Sequence, residues 1–409
     1  MDKIAECLHA LSTVLGRTSK DIALHEPTFQ GNEWSYVKDC LDSGWVSSVG
    51  EYINQFERKI SEYTGVSHVV ATVNGTAALH IALLVAGVLP EHEVLVPSLT
   101  FIATANAIIY SRAIPHFIDS DTSNLGINLE KLKKYLQEKT IIRNNHCINK
   151  DTKRVIKAII PVHIFGHSID MDALKKIAQE FCLTIIEDAA ESLGTFYKEK
   201  HTGNFGEIAV LSFNGNKIIS TGGGGAILSN NEEFAKLAKH LTTTAKIPSS
   251  FEFIHDRIGY NYRLPNINAA LGCAQLEQIS TFVEKKRKLA KKYQIAFRDI
   301  EYAEILTEPT FCKSNYWLNA LILKQPDRSF IEKYIDTANQ HHYKLRGLWH
   351  PIHTLSMYQH YPKMDLSNTC ELFNRVISLP SSVCLGEKEN LHSQGKSWAK
   401  STSQKESHY

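Results

Sequence analysis

Three short apolar runs between residues 183 and 230 constrain the fold more than any other part of the chain. The first ends at two carboxylates, Glu187 and Asp188, the second leads into a loop that carries Lys217, and the third follows four glycines. Short apolar runs bounded by turn residues are typical of buried strands in an α/β sheet. Because such sheets place polar chemistry at the ends of their strands, we expect Asp188 and Lys217 to share one edge. The runs are residues 183–186, 208–213 and 226–228.

An aspartate and a lysine at one sheet edge suit the chemistry of pyridoxal 5'-phosphate. The lysine amine forms a Schiff base with the cofactor aldehyde, and the aspartate keeps the pyridine nitrogen protonated so that the ring accepts electrons. Taken singly, each residue is better explained as a solvated surface charge, since lone charged residues are rarely buried. The motifs around Asp188 and Lys217 decide between these two interpretations.

The motifs are EDAAESLG at 187–194, SFNGNK at 212–217 with the following GGGGA, and GYNYRLPNINAALGCAQLE at 259–277. Together they resemble the sugar-nucleotide aminotransferases of the DegT/StrS group, which are fold-type I pyridoxal-phosphate enzymes. The N-terminal GNEWSYVKDCLDSGWVSSVG at 31–50 is most similar to the LegC-like 4-aminotransferase branch. The resemblance covers roughly residues 31–385 and implies a homodimer with composite active sites.

Strand and helix signals alternate along the first half of the chain, which predicts an α/β fold with a mostly parallel sheet flanked by helices. At 409 residues the chain is too long for one small core, so we expect a large and a smaller domain. We predict a helix at about 369–377 in the smaller domain. The expected parts are an N-terminal helical extension at 1–30, a large cofactor-binding domain at 31–263, linking helices and a small C-terminal α/β domain at 264–385, and a disordered polar tail at 386–409.

Composition excludes several classes of protein. The chain is 43% hydrophobic and 22% charged with a net charge of +2, which argues against a nucleic-acid-binding protein. No apolar run has transmembrane length, and the N-terminus does not resemble a secretory signal, so we expect no membrane association. The eight cysteines lack metal-like spacing and fall mostly in apolar segments. They predict reduced core thiols, no metal site and a cytoplasmic protein.

A strand at about 68–73 is followed by a glycine turn and a helix, an arrangement that directs free backbone N–H groups at an anion. Such turns are common in α/β folds and most of them bind nothing. The resemblance nevertheless implies that this turn holds the cofactor phosphate, that an aromatic residue lies against the pyridine ring, and that an asparagine reaches the partner's phosphate across the dimer. The implied cofactor-binding residues are Gly75, Thr76, Ala77, Phe101, Asp188, Glu191, Ser212, Lys217 and Asn261.

Most of the candidate substrate contacts also have a simpler structural interpretation. Ser47 and Ser48 belong to a segment that is either a plain connector or, by the resemblance, part of the substrate wall. Lys246 and Arg257 lie in a polar, irregular stretch that is either a solvated loop or a contact for a nucleotide diphosphate. His163 follows a strand, and the resemblance places it near the cofactor and Asp188.

The resemblance implies a reaction in two halves. Glutamate donates its amino group to the cofactor and leaves as 2-oxoglutarate, and the group then passes to the C4 ketone of a nucleotide-linked 4-keto-6-deoxy sugar. Lys217 moves the proton as base and then acid. We predict UDP-2-acetamido-2,6-dideoxy-hexos-4-ulose as substrate, with GDP-4-keto-6-deoxymannose as the alternative, and a 4-amino-4,6-dideoxy sugar for surface glycan synthesis as product. Glu191, where many relatives have His or Gln, favours this 4-amino branch.

Three other functions were weighed against the sequence. A nicotinamide-dependent sugar oxidoreductase or epimerase needs GxGxxG after its first strand, and the chain has no such pattern. A dehydratase of the same family is expected to carry histidine in place of the Schiff-base lysine, whereas Lys217 is intact. A non-catalytic paralogue is disfavoured because Asp188, Ser212, Lys217 and Asn261 are all retained.

Overall fold

The computed structural model of the chain describes residues 2–387. Within these residues the helices are α1 Lys3–Leu15, α2 Glu33–Ser43, α3 Glu51–Thr64, α4 Gly75–Val85, α5 Ala103–Tyr110, α6 Leu129–Lys139, α7 Met171–Glu180, α8 Glu232–Thr242, α9 Asn266–Leu276, α10 Ile279–Phe297, α11 Arg328–Gln340 and α12 Ser367–Phe373. The strands are β1 His68–Thr72, β2 Glu93–Pro97, β3 Ile114–Ile118, β4 Thr140–Arg143, β5 His146–Asn149, β6 Val155–Ile159, β7 Thr184–Asp188, β8 Phe196–Tyr197, β9 Lys200–His201, β10 Ile208–Ser212, β11 Gly225–Ser229, β12 Lys246–Ile247, β13 Ile254–His255, β14 Ala303–Ile305, β15 Cys312–Lys313, β16 Asn319–Leu323, β17 Arg346–Gly347 and β18 Val376–Leu379.

The main sheet has the order β1–β11–β10–β7–β6–β2–β3, and the hairpin β4–β5 adds to it beside β6. The strands from β10 to β3 are parallel, whereas β11 runs antiparallel to both β10 and β1. The prediction of a mostly parallel sheet flanked by helices is confirmed. Val210 pairs with Asp188, so β7 and β10 end at the same edge of the sheet. This pairing brings the motifs around Asp188 and Lys217 together.

Both faces of the central strands are buried, which explains their uninterrupted apolar sequences. In β10, Ile208 and Val210 pack into one core cluster, while Ala209 and Leu211 pack into another on the opposite face. Alternate side chains of a strand point to opposite faces, so a strand covered on both sides is apolar at every position. The first cluster includes residues of α4, α5 and α7, and the second includes residues of α3 and α9.

A second core lies under the antiparallel sheet β14–β16–β18–β17. Helices α1, α10 and α11 pack there, with Leu11, Tyr293 and Tyr334 all fully buried. The N-terminal helix α1, expected as an extension, packs in the same core as this sheet, which we refer to as the small-domain core. None of the helices within residues 2–387 is both long and apolar enough to cross a membrane.

Two predicted boundaries near the C-terminus are wrong. The helix expected at 369–377 ends at Phe373, and β18 begins at Val376 because its β-branched residues pair with β16 and β17. The expected tail included Gly386, but this residue is buried in the 3₁₀ turn Val383–Gly386, where an added Cβ would lie 2.2 Å from the Lys285 carbonyl oxygen. The rest of that tail, 388–409, lies outside the described residues.

Candidate active site

A cavity of about 540 Å³ opens where β7 and β10 end. Its large-domain wall contains seven of the predicted cofactor residues, and its other wall comes from the small domain and the N-terminal segment. The predicted residues that line it are Gly75, Thr76, Phe101, Asp188, Glu191, Ser212 and Lys217. The structure therefore brings most of the expected cofactor site together.

The Lys217 amine lies between an acid and an aromatic face. Its Nζ is 3.4 Å from Oε1 of Glu191 and 4.0 Å from the ring centroid of Trp317. The carboxylate and the negative face of the indole are both contacts that attract a positive charge. Burial raises the pKa of Glu191, and the nearby Lys217 charge and the Phe165 N–H oppose that shift. The second Glu191 oxygen accepts this N–H at 2.9 Å.

Asp188 is 4% exposed at the end of β7. Its Oδ2 accepts the Thr104 hydroxyl at 2.8 Å, and its Oδ1 accepts the Ala190 N–H at 3.2 Å. Burial raises the pKa of Asp188, whereas these two hydrogen bonds and the Lys217 charge hold it down. A buried carboxylate at the rim of the cavity is a suitable partner for a protonated ring nitrogen, because that pairing would compensate its desolvation.

The glycine turn forms an anion site at the start of α4. The side chain of Asn74 caps the helix by accepting the Ala77 N–H at 2.8 Å, which leaves the N–H groups of Gly75 and Thr76 at the helix N-terminus without an intrahelical partner. A Cβ on Gly75 would lie 3.0 Å from Cβ of Ser212, so the turn and the end of β10 are in close contact. The Ala77 N–H donates to the Asn74 side chain, so the N–H groups of Gly75 and Thr76 are the donors that the turn leaves for a phosphate, and the predicted contact of Ala77 with the cofactor stays a prediction.

Gly225, the last glycine of the run, has no space for a side chain. A Cβ at this position would lie 2.5 Å from the Asn74 carbonyl carbon and 2.7 Å from the Gly75 nitrogen. Real side chains do not approach backbone so closely, so the first residue of β11 must be glycine for the anion-binding turn to keep its position.

Phe101 is 54% exposed although it is a large apolar residue, and its side chain lines the cavity. An aromatic face left open beside Thr104 and Asp188 fits stacking against a flat ring. With the Lys217 amine, the buried Asp188 and the N–H groups of the turn, the cavity offers groups suited to the aldehyde, the ring nitrogen and the phosphate of pyridoxal 5'-phosphate.

The structure places His163 behind the cavity. Its backbone N–H donates to the Asp188 carbonyl at 3.2 Å, but its fully buried side chain lies 3.1 Å from Oε2 of Glu187. Glu187 and Asp188 alternate along β7, so their side chains point to opposite faces of the sheet. The expected substrate contact of His163 is corrected accordingly, because the imidazole cannot reach the cavity.

The remaining predicted residues do not line this cavity within one chain. Asn261 is exposed and bridges to Thr243, Ser48 lines a separate cavity, and Ser47 is exposed. Lys246 lies in the hairpin β12–β13 with its amine 4.0 Å from the Phe253 ring centroid, and Arg257 is an exposed neighbour of Asp256. A role for these residues at the site requires a second chain or a bound substrate.

Sequence reasoning missed the small-domain wall. Trp317, Arg346 and Trp349 line the cavity, and Leu24 joins them from the N-terminal segment. Arg346 is exposed, and no acidic side chain within residues 2–387 pairs with it. The one available signal was the loop at 348–353, which contains Trp349 and two histidines, since binding residues are often on loops.

The sheet order and the cavity chemistry define a pyridoxal-phosphate-dependent aminotransferase of fold-type I. The chain belongs to the DegT/DnrJ/EryC1/StrS aminotransferase family, whose model matches residues 27–392. It is 35% identical to the GDP-perosamine synthase of Escherichia coli O157:H7 over 91% of this chain and 96% of the relative.

Two solved structures are similar along most of their length. An aminotransferase of the same family from Brucella abortus shares 28% identity with a TM-score of 0.78, covering 86% of this chain and 90% of that one. PseC of Helicobacter pylori, an aminotransferase of pseudoaminic acid biosynthesis, shares 25% identity with a TM-score of 0.79, covering 88% and 94%. The chain is thus a pyridoxal-phosphate-dependent sugar aminotransferase.

Proposed function

We propose that the enzyme moves the amino group of glutamate to the C4 ketone of a nucleotide-linked 4-keto-6-deoxy sugar, giving a 4-amino-4,6-dideoxy sugar. The observation that carries the proposal is the Lys217 amine, which is held between Glu191 and Trp317 inside a cavity that also contains Asp188. An amine in this position can form a Schiff base with the cofactor aldehyde, and it can also transfer a proton to or from an adjacent carbon.

Each residue of this chain has a distinct task in the proposal. The bound cofactor supplies an electron sink for the carbon that loses its proton. Lys217 holds the cofactor and later carries the proton, Asp188 keeps the ring nitrogen charged, and the turn at Gly75 and Thr76 binds the phosphate. The exposed ring of Phe101 limits the tilt of the cofactor.

Arg346 supports a dicarboxylate donor. It is the cation on the small-domain wall of the cavity, and its guanidinium has no carboxylate partner among residues 2–387. A guanidinium forms two parallel hydrogen bonds with a carboxylate. We infer that Arg346 binds a carboxylate of glutamate while the amino group of the donor faces Lys217.

Two sugars remain as candidates, each favoured by a specific observation. The motif at 31–50 favours UDP-2-acetamido-2,6-dideoxy-hexos-4-ulose through its similarity to the LegC-like branch. The name of the E. coli relative, GDP-perosamine synthase, favours GDP-4-keto-6-deoxymannose. Both substrates present the same C4 ketone, so the reaction at Lys217 is common to them.

Purified enzyme loaded with cofactor is to be incubated with glutamate and each of the two 4-keto sugars. Mass spectrometry then detects the amino sugar, and the proton couplings at C4 give its stereochemistry. We expect one sugar to be converted at least tenfold faster than the other, and Lys217→Ala to abolish conversion. Conversion of neither sugar by the loaded enzyme would contradict the 4-keto assignment, and a Lys217→Ala variant within a few-fold of normal would contradict the role of Lys217.

A further inference from the structure

Asn315 is a fully buried asparagine in the segment that leads into β16. Its amide donates one N–H to the Glu191 carbonyl at 2.9 Å and the other to the Leu193 carbonyl at 2.8 Å. Its oxygen accepts the Trp317 backbone N–H at 2.7 Å. Both donors and the acceptor of one side chain are therefore used between two segments that are 124 residues apart in the chain.

These two segments carry the two contacts of the Lys217 amine. The Glu191 carboxylate approaches the amine from one side, and the Trp317 ring approaches it from the other. The Trp317 indole N–H also donates to the Asn216 carbonyl at 2.6 Å, immediately before the lysine. Asn315 thus sets the separation between the acid and the aromatic face that enclose Lys217.

The surrounding backbone is built around the Asn315 amide. A Cβ on Gly166 would lie 1.9 Å from the Asn315 oxygen, so only glycine leaves room for it. Tyr316 has a φ of 48°, and Phe165, whose N–H bonds to Glu191, has a φ of 57°. Left-handed backbone is strained at bulky residues and persists where the surroundings enforce it.

We propose that Asn315 is a positioning residue that holds Glu191 and Trp317 against the Lys217 amine and thereby keeps both contacts of this amine in place. Asn315 itself does not line the cavity, so it acts only through its two partners. The inference rests on the proposed role of Lys217 as the residue that holds the cofactor and carries the proton. Asn315 keeps the Lys217 amine in the geometry that this role requires.

The two contacts of Lys217 determine the direction in which the pH dependence of the loaded enzyme changes when Asn315 is replaced. A carboxylate and an indole face both stabilise a positive charge on the Lys217 nitrogen. When Asn315 is lost, the loop with Glu191 and the turn with Trp317 are free to separate, and the positive charge loses stabilisation. The nitrogen then releases its proton at lower pH, and the visible absorbance of the loaded enzyme, which requires that proton, fades at lower pH.

The test compares Asn315→Ala and Asn315→Asp with Asn319→Ala in cofactor-loaded enzyme. Asn319 is an equally buried asparagine, whose amide and backbone N–H both donate to the Ser381 hydroxyl, away from the cavity. We expect both Asn315 variants to lower the pH midpoint of the visible band by about one unit, which is a tenfold change in proton affinity. The single-turnover rate with glutamate should fall at least tenfold, while Asn319→Ala lowers only the thermal midpoint.

Three outcomes would overturn the inference. The Asn315 variants could match Asn319→Ala in pH midpoint and rate, could lose only thermal stability, or could fail to fold where Asn319→Ala folds. Failure of the proposed function has a different signature. Borohydride reduction and peptide mapping of the wild-type enzyme would then locate the cofactor on a lysine other than Lys217.

Discussion

Asp188 and Glu191 are both buried carboxylates at one rim, but their hydrogen-bond partners differ. Asp188 accepts two neutral donors, from Thr104 and Ala190, which leaves its charge available for a cofactor ring. Glu191 shares its charge with Lys217. Burial raises the pKa of both groups, and the nearby positive charge of Lys217 opposes that shift. Asp188 is therefore suited to pair with a protonated ring nitrogen of the cofactor, whereas Glu191 is suited to contact the Lys217 amine.

Replacing Arg346 by Gln tests the donor site. Arg346→Gln should raise the KM for glutamate roughly tenfold to a hundredfold, because charge-assisted hydrogen bonds contribute about 1.5–3 kcal/mol. The KM for the sugar should change much less. Lys344→Gln is the matched control, since it removes a positive charge nearby from a side chain that pairs with Asp21. An equal rise in both KM values would show that Arg346 binds the nucleotide diphosphate instead.

Local motifs made part of the site predictable. Asp188 and Lys217 were recognisable because each lies within a contiguous pattern at the end of a strand. Trp317 was not, because its contact with the Lys217 loop joins positions 101 residues apart. The role of Asn315 likewise depends on a tertiary approach that no local pattern encodes.

At the scale of elements, the reversed strand β11 explains how the sheet edge becomes an anion site. It lies between β10 and β1 and starts at Gly225. Its antiparallel direction brings this first residue against the turn Asn74–Gly75, where β1 leads into α4. The position of the phosphate-binding N–H groups thus depends on strand packing as well as on the turn itself.

Gly225→Ala should weaken cofactor binding at least tenfold. The added methyl would meet the backbone of Asn74 and Gly75, and relieving such overpacking typically costs about 1–3 kcal/mol. The matched control is Gly215→Ala, because no atom lies within 4 Å of a Cβ at Gly215. Cofactor affinity can be followed by the visible absorbance during titration. Equal affinities in the two variants would contradict the proposed phosphate site.

Helix α10 contains Lys286, whose positive charge would destabilise the folded protein because the side chain is buried. Burial lowers the pKa of Lys286 from 10.5 to about 7, and its amine donates to the Ser381 carbonyl. Between these two values the unfolded chain binds one proton more than the folded chain, so the free energy of unfolding rises with pH. The cost is therefore largest below about pH 7 and disappears as the pH rises towards 10.5.

Lys286→Met should accordingly raise the thermal midpoint near pH 7, and this gain should shrink towards pH 10. The difference between variant and wild type at each pH cancels the titration of other groups. Lys288→Met, at a position 61% exposed, is the control and should show no such trend. A gain that is independent of pH would show that Lys286 is charged throughout the range.

Element boundaries were predictable where periodicity was strong and failed where neighbours decided the outcome. Helix α3 is an example of strong periodicity, because Ile53, Phe56 and Ile60 have helical spacing in the sequence and all three are buried in the structure. Residues 376 and 377 were expected to be helical, yet they begin β18, which pairs with β16 on one side and with β17 on the other. Long-range pairing overrides local preference in such segments.

At the scale of the molecule, exposed apolar side chains concentrate on two segments that do not face the cavity. Phe251, Phe253 and Ile258 are each 83% exposed around the hairpin β12–β13, and Trp34 and Trp45 are also exposed, at 84% and 57%. Apolar surface of this kind marks a protein contact. Asn261 follows the same hairpin segment, and we propose that this surface forms a two-fold dimer whose partner completes the phosphate site.

The proposed composite site can be tested by mixing Lys217→Ala chains with Asn261→Ala chains under conditions that allow subunit exchange. If Asn261 serves its own subunit, each site of a mixed dimer lacks one residue and stays inactive. If it serves the partner, one site in each mixed dimer contains both residues, and activity returns. We expect recovery of up to a quarter of wild-type activity, as statistical exchange makes about half of the dimers mixed, each with one intact site.

The experiment requires Asn261→Ala alone to be impaired, and losing one charge-assisted hydrogen bond of about 1.5–3 kcal/mol should lower cofactor affinity at least tenfold. Activity is therefore measured at a cofactor concentration below the dissociation constant of that variant, where the loss is fully visible. Excess cofactor should rescue the Asn261→Ala homodimer but not the Lys217→Ala homodimer, because only the latter lacks the reacting amine. Activity from a gel-filtration monomer would exclude the composite site, since a single chain would then supply every donor to the phosphate.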